Sequence, residues 1–291
     1  METSSNYQDF KVLKTSWKGG VLSVVFDNPP INILTLEIVQ DLQSLIKKLH
    51  QDKQTKVVVF TSANPEFFIA HYDVIGGNDE LLHKRQAKLS DWFGACADIP
   101  RLPQATIAVI EGIVRGAGSE FTLACDMRFA AKGKALLGQM EVSLGLIPGA
   151  GGSHRLEHLI GRGRTMEYIL SGRDITGEEA EKYGWVNRTL ETEELHKFVD
   201  ELATRIAKFP AQAIDSTKRA LNAESLPTEV NLIEEQNLFV DLIHNNPETQ
   251  AIMKAWVEGG AQTYHPLELN LTEEILNVYP KPEPRKWNLS L

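Results

Sequence analysis

Residues 112–152 constrain the chain more than any other stretch, because each of two glycine clusters lies close to one glutamate. The clusters are Gly116 and Gly118 beside Glu120, and Gly149, Gly151 and Gly152 near Glu141. Glycine lets main chain turn at positive φ and approach a ligand closely. The apolar run 121–125 then predicts a helix with Glu120 in its first turn, whose unpaired N–H groups favour an anion or a developing oxyanion.

The two glutamates gain meaning as a pair. A single carboxylate in either place is typical of a helix-dipole partner or of a solvated loop. Glu120 and Glu141, however, both have apolar sequence around them. Two carboxyl groups held near apolar walls can have different pKa values, so that one serves as a base and the other as an acid. The sequence therefore predicts an acid–base site built on these two residues.

Two segments carry a resemblance to a known family. GAGSEFTLACDMRFAA at 116–131 resembles the glycine-rich turn, catalytic helix and following strand of the enoyl-CoA hydratase/isomerase (crotonase) family. LGQMEVSLGLIPGAGGSHRL at 137–156 resembles its second catalytic segment. In the hydratases of this family, two glutamates bind a water molecule and add it to an α,β-unsaturated thioester. The resemblance matches those glutamates to Glu120 and Glu141, and it implies coenzyme A as part of the substrate, with no separate cofactor and no metal.

The same resemblance implies an oxyanion hole made of two backbone N–H groups. One would belong to Ala117. The other would belong to Ala70, because FIAHYDV at 68–74 is similar to the family segment F-x-A-G-A-D-[IL]. Any residue except proline supplies such a donor, so alanine at both places is compatible with this role.

This loop departs from the family at two positions, since His71 replaces a usual glycine and Tyr72 a usual small residue. A positive φ at position 71 would strain a histidine. The side chain is either a third acid–base group or an inert, hydrogen-bonded residue packed against the loop. Asp73 matches the acidic residue of the family, which is expected to hold the loop through main-chain N–H groups.

The resemblance also implies that coenzyme A lies against the loops at 28–34 and 68–74. Neither the first loop nor residues 75–78 contains a lysine of the kind that family members often use for the phosphates. Backbone N–H groups or an arginine would then meet the phosphates. The residues expected to bind substrate or coenzyme A are Asn32, Ile33, Phe68, His71, Tyr72, Asp73, Val74, Gly116 and Gly149.

Composition narrows the class of protein. The net charge of −9 disfavours binding to nucleic acid or to an anionic membrane surface. Cys96 and Cys125 form neither a disulfide framework nor a metal motif by spacing. The N-terminal residues are polar, and no apolar run approaches the length of a membrane span. We therefore expect a cytoplasmic protein.

The order of elements predicts an α/β fold. Strand, turn, helix and strand recur through residues 1–192, which indicates repeated ββα units; the resemblance implies that they wind as a spiral and form the catalytic core. Residues 193–263 are predicted to be a helical region, with helices at 194–207, 211–222, 229–244 and 247–258 that begin or end at prolines. The resemblance implies that this region serves oligomerisation or covers the site. A further helical region is expected at about 79–97. Residues 264–291 are predicted to be an extended arm.

The sequence thus predicts an enoyl-CoA hydratase, and the family resemblance implies a homotrimer or a dimer of trimers. Two alternatives keep the fold: a Δ3,Δ2-enoyl-CoA isomerase, which needs only one carboxylate, and a hydrolase of an acyl-CoA or a β-diketone. A third alternative is a binding or scaffold protein of the same fold without catalytic activity, which would account for His71 and for the missing lysines.

Overall fold

The computed structural model describes residues 7–74 and 85–279. Within them the strands are β1 Leu13–Lys18, β2 Val21–Phe26, β3 Val57–Ser62, β4 Phe67–Ile69, β5 Ala105–Ile110, β6 Ile113–Arg115, β7 Met127–Ala131, β8 Leu136–Gly138, β9 Ile175–Thr176 and β10 Arg188–Leu190. The helices are α1 Leu36–Gln51, α2 Asp91–Asp98, α3 Ala117–Ala124, α4 Gly152–Ile160, α5 Arg162–Ser171, α6 Gly177–Tyr183, α7 Thr192–Ala207, α8 Ala211–Ser225, α9 Glu229–Asn245, α10 Pro247–Glu258, α11 Pro266–Leu269 and α12 Leu271–Val278.

The strands form two sheets that the chain visits in alternation. One sheet has the order β1-β2-β3-β5-β7-β10, and the other has the order β4-β6-β8-β9. Thus β3, β5 and β7 enter the larger sheet, and the strands that directly follow them, β4, β6 and β8, enter the smaller one. All pairings between β2, β3, β5, β7 and β10 are parallel. The repeated ββα pattern predicted from the sequence is confirmed.

The larger sheet is covered on both faces. All six residues of β5 are buried, which explains why the strand reads as a continuous apolar run. One face packs on α7 through its apolar stripe of Leu195, Val199 and Ala203. The other face contributes to an aromatic cluster in which Phe121 of α3 lies edge-on to Phe26 and Phe60, with ring centroids 5.2 and 5.0 Å apart. The helix that carries Glu120 is therefore seated on the core.

The helical region after residue 192 follows the prediction closely. The helices predicted at 194–207, 211–222, 229–244 and 247–258 are α7, α8, α9 and α10, and none of their ends differs by more than three residues. Helix α1 has apolar residues at helical spacing, and three of them, Ile38, Leu42 and Leu45, are buried. The division of the chain at residues 192 and 263 into core, helical region and tail stays a prediction.

Two expectations about local structure are wrong in the described residues. The segment from Tyr264 is not an extended arm, because 266–269 and 271–278 are helical and Leu267, Leu271 and Ile275 are buried. Apolar residues three to four apart lie on one face of a helix, and this face packs against α10. In an extended chain the same residues would be exposed to water. The helical region expected at 79–97 begins only at Asp91 in its described part, and its first residues lie outside the described range.

Candidate active site

The two glycines before Glu120 allow three segments to meet. Gly116 has φ 48°, and a methyl group built there would lie 3.1 Å from Glu141 Oε1 and 3.7 Å from His71 Cβ. A methyl group on Gly118 would lie 2.8 Å from Ile69 Cβ, and the Ile69 carbonyl oxygen is closer still. Glycine at these positions therefore brings the start of α3 against both the end of β4 and the Glu141 carboxyl group.

The second glycine cluster holds the first glutamate. Glu120 is buried, and its Oε1 accepts hydrogen bonds from the N–H groups of Ala150 (2.6 Å) and Gly152 (3.0 Å). A side chain on Gly152 would lie 2.9 Å from the same oxygen, so glycine is needed for this approach. Burial raises the pKa of Glu120 well above its ordinary value, and the nearby Glu141 and Glu235 raise it further, whereas the two N–H donors lower it.

Glu141 begins a short 3₁₀ turn and is also buried. The amide of Gln139 lies 3.1 Å from both of its carboxylate oxygens. The amide orientation that satisfies both ends has nitrogen donating to Glu141 and oxygen accepting from the Ser119 hydroxyl (3.2 Å). Burial raises the pKa of Glu141 to about 8, and the charge of Glu235 contributes to this rise.

Glu235 of α9 is a third buried carboxyl group beside the pair. Its Oε1 accepts a hydrogen bond from the N–H of Ser153 (3.0 Å), at the same start of α4 whose Gly152 N–H reaches Glu120. Burial raises the pKa of Glu235 as well. One helix N-terminus therefore supports two carboxyl groups, and the repulsion among the three favours keeping protons within the group.

Glu120 and Glu141 face one small cavity of about 50 Å³. Its aromatic walls come from Trp92, Phe93, Phe239 and Trp256. A larger cavity of about 710 Å³ lies between α8 and the end of α3, but neither glutamate lines it and its acidic residue, Asp126, is paired with Lys218 at 2.7 Å. The carboxyl pair, rather than the volume, identifies the smaller cavity as the candidate site.

The structure brings together most of the residues that the sequence indicated. Eight of them line the small cavity: His71, Tyr72, Val74, Gly116, Ala117, Glu120, Glu141 and Gly149. The loops at 28–34 and 68–74 run side by side, because the N–H of Leu34 donates to the carbonyl of His71 (2.8 Å) and the N–H of Asp73 donates to that of Leu34 (3.1 Å). Ala117 is the first residue of α3, where backbone N–H groups have no partner within the helix.

Five indicated residues do not line the cavity: Asn32, Ile33, Phe68, Ala70 and Asp73. The Asn32 amide donates to the Phe68 carbonyl (3.1 Å) and to the Ser62 hydroxyl (2.8 Å), and the Phe68 ring packs in the aromatic core. The side chains of Asn32 and Phe68 therefore hold the loops in place. Asp73 accepts a hydrogen bond from the side-chain amide of Gln262 (2.6 Å).

His71 is buried and hydrogen-bonded through both ring nitrogens. Nδ1 lies 2.8 Å from the carbonyl oxygen of Tyr72, and Nε2 lies 2.9 Å from Oε1 of Glu268. His71 is not among the described residues with positive φ, so the strain considered for this position does not arise. With both nitrogens engaged, the side chain holds the loop together rather than offering a base to the cavity.

Sequence reasoning missed Gln139, Glu235, Trp256 and Glu268. Gln139 stands two residues before Glu141, and that proximity was a usable signal. The other three reach the site only because α9, α10 and α11 fold back onto the spiral. Their positions along the chain do not indicate that they contact the site, since Glu268, for example, is 197 residues from His71.

Comparison with known proteins decides the family. A family model described as enoyl-CoA hydratase/isomerase matches residues 16–265. This chain belongs to the enoyl-CoA hydratase/isomerase family. A Dictyostelium discoideum protein described as a candidate mitochondrial enoyl-CoA hydratase is 29% identical over 261 residues, which cover 89% of this chain and 92% of the relative.

Solved structures of this family share the fold. A candidate enoyl-CoA hydratase from Streptomyces avermitilis is 34% identical with a TM-score of 0.85, over 92% of this chain and 98% of that one. An enoyl-CoA hydratase from Bacillus anthracis is 28% identical with a TM-score of 0.68, over 86% and 97% of the two chains. The crotonase-like spiral expected from the two motif segments is thereby confirmed.

Two features are absent from the described part of the chain. Across residues 7–74 and 85–279, no helix combines the length and the apolar character that crossing a membrane requires. Over those same ranges, no group of three histidine, cysteine or acidic side chains is arranged to hold a metal ion.

Proposed function

We propose that the protein hydrates α,β-unsaturated acyl-CoA thioesters. The observation that carries this proposal is the pair of buried carboxyl groups, Glu120 and Glu141, facing one cavity beside the start of α3. Burial raises the pKa of both, so the pair can hold an acid and a base at once near neutral pH. A single carboxylate would suffice for isomerisation, whereas addition of water uses both.

The hydrogen bonds suggest the roles of the two groups. Glu120 accepts two backbone N–H bonds, at 2.6 and 3.0 Å, which favour its ionised form, whereas Glu141 has one backbone N–H and the Gln139 amide at 3.1 Å. Glu120 removes a proton from water while the hydroxyl oxygen bonds to Cβ of the substrate. The electron pair of the double bond moves toward the thioester oxygen, and Cα then takes a proton from Glu141. The net change is the addition of one water.

The backbone would stabilise the intermediate enolate. Ala117 contributes an N–H from the first turn of α3, where the helix dipole favours negative charge. Ala70 contributes the second N–H from the end of β4, which Gly118 allows to lie against the helix. Removal of one such donor in other enzymes lowers kcat by about 10²–10³-fold, which sets the scale of this contribution.

The substrate would enter with its acyl end between the aromatic walls and its coenzyme A portion along the loops at 28–34 and 68–74. At about 50 Å³ the cavity accommodates only the reacting end of a thioester, so the remainder lies outside it. A homotrimer or a dimer of trimers stays the expected assembly, and acyl-CoA stays the expected partner.

The test follows the loss of the enoyl-thioester absorbance of crotonyl-CoA. Glu120→Gln and Glu141→Gln should each lower kcat by about 10²–10⁴-fold with little change in KM, because a positioned acid or base acts only in the transition state. Glu157→Gln, an exposed carboxylate on α4, is the matched control and should retain full activity. Undiminished turnover in both site variants would refute the proposal, and isomerisation retained by Glu120→Gln would assign the isomerase reaction instead.

A further inference from the structure

His71, a departure from the family pattern, meets Glu268 of α11 in space. His71 stands where a glycine is usual, and Glu268 lies three residues beyond the matched range 16–265. Their side chains are 2.9 Å apart, Nε2 to Oε1, with 4% and 0% of their surfaces exposed. A buried contact of this kind joins the loop after Ala70 to α11.

Each ring nitrogen of His71 faces an oxygen atom. Nδ1 faces the carbonyl oxygen of Tyr72, which can only accept a hydrogen bond. Nε2 faces Oε1 of Glu268, which also accepts from the N–H of Gln262 (2.7 Å). Although burial raises the pKa of Glu268, the charge and hydrogen bond of His71 bring it below its ordinary value. Both ring nitrogens therefore face oxygen atoms, and the lowered pKa of Glu268 keeps its carboxylate ionised beside the ring.

The backbone of Glu268 makes a second connection. Its carbonyl oxygen accepts a hydrogen bond from Arg115 Nη1 (2.5 Å), and Arg115 is fully buried and paired with Asp174 at 2.7 Å. Arg115 ends β6, two residues before Ala117. The side chain of Glu268 thus contacts His71, which follows the proposed donor Ala70. Its backbone contacts Arg115, which lies in the segment that leads to the other proposed donor, Ala117.

Neighbouring residues strengthen this connection. Gln262 has φ 64°; its Oε1 accepts from the N–H of Val74 (2.8 Å) and its Nε2 donates to Asp73 (2.6 Å). The Trp256 ring lies 4.7 Å from the His71 ring, centroid to centroid. The C-terminal segment 256–268 therefore holds three of the four residues that follow Ala70.

We propose that Glu268 is a positioning residue that sets the separation between the two oxyanion N–H groups, of Ala70 and Ala117, through His71 and Arg115. The proposal rests on the hydratase function given above. It makes the C-terminal segment 256–268 a component of the site. Loss of the Glu268 charge lets the loop at 70–74 shift relative to α3, which weakens stabilisation of the enolate more than binding of the thioester.

The experiment compares Glu268→Gln, His71→Gln and the double variant with the wild type. Glu273→Gln, at an exposed position of α12, is the matched control. Glu268→Gln should lower kcat for crotonyl-CoA by about 10–100-fold, less than or equal to the loss of one oxyanion donor, with KM changed less than about threefold. The double variant should be no worse than the poorer single variant, because the pair acts as a unit. Additive losses, or an unchanged kcat in Glu268→Gln, would overturn the proposal.

Nuclear magnetic resonance gives a readout that needs no turnover. The ¹⁵N shifts of the His71 ring nitrogens should differ between the wild type and Glu268→Gln, because the variant replaces the carboxylate that faces Nε2. The amide resonances of Ala70 and Ala117 should move in Glu268→Gln and in His71→Gln, and should stay in place in Glu273→Gln. If the wild type fails to hydrate any enoyl-CoA but these shifts appear, the hydratase function fails while the positioning contact stands; unmoved amides refute the contact itself.

Discussion

Gly118 provides a sharp test of how the site is assembled. A methyl group at this position would lie 2.8 Å from Ile69 Cβ and closer to the Ile69 carbonyl oxygen, whereas ordinary contacts begin at 3.4 Å. Gly118→Ala therefore requires α3 and the end of β4 to separate by at least 0.6 Å (3.4 − 2.8). Because each segment carries one proposed oxyanion donor, the separation moves the N–H groups of Ala70 and Ala117 apart.

The expected effects follow from this displacement. Errors of about 1 Å in the placement of reacting groups cost on the order of 10²-fold in rate, so kcat for crotonyl-CoA should fall by about that factor. Overpacking of a core costs about 1–3 kcal/mol, which lowers the melting temperature by roughly 2–10 °C in a chain of this size. Circular dichroism melting and steady-state kinetics measure the two effects separately.

Gly163 offers the matched control. It lies in α5, is exposed, and a methyl group built on it would meet nothing within 4 Å. Gly163→Ala should leave kcat unchanged and stabilise the protein by up to about 1 kcal/mol, because alanine favours a helix. Normal kcat in a folded Gly118→Ala protein would refute the view that the packing of α3 on β4 sets the geometry of the site.

Three further predictions concern the cavity and its carboxyl groups. The folded protein keeps the proton of Glu141 up to a pKa of about 8, whereas the unfolded chain loses it near 4.5, so stability falls as pH rises through this window. The free energy of unfolding of Glu141→Gln, relative to that of the wild type, should thus rise by about 1 kcal/mol per pH unit from 4.5 to 8. Urea unfolding measures this difference, and an equal difference at every pH would contradict the prediction. Glu235→Gln removes a charge that raises the pKa of both other glutamates, so the midpoints of the kcat/KM pH profile should move to lower pH. An unmoved profile would exclude this coupling. Phe239→Ala enlarges the cavity and should raise kcat/KM of longer enoyl thioesters relative to crotonyl-CoA by about fourfold per added methylene, and a constant ratio would place the acyl chain elsewhere.

The sequence by itself determined the elements that depend on neighbours along the chain. Helix α10 was predicted with both ends correct, because Pro247 can begin a helix and apolar residues recur at helical spacing. The glycine–glutamate clusters indicated the chemistry, since glycine at a turn and two carboxyl groups in apolar sequence each have a local physical meaning.

The tertiary structure alone decided which distant groups surround those glutamates. Glu235 and Glu268 come to the site from helices that lie 94 residues or more beyond Glu141 in the chain. The segment from Tyr264 is helical and buried because it packs on an apolar surface of α10 and hydrogen-bonds to the loop at 71–74. Burial, and with it the pKa of each carboxyl group, is a property of the packed molecule, because the water that a neighbouring helix removes is not determined by the residues adjacent in sequence.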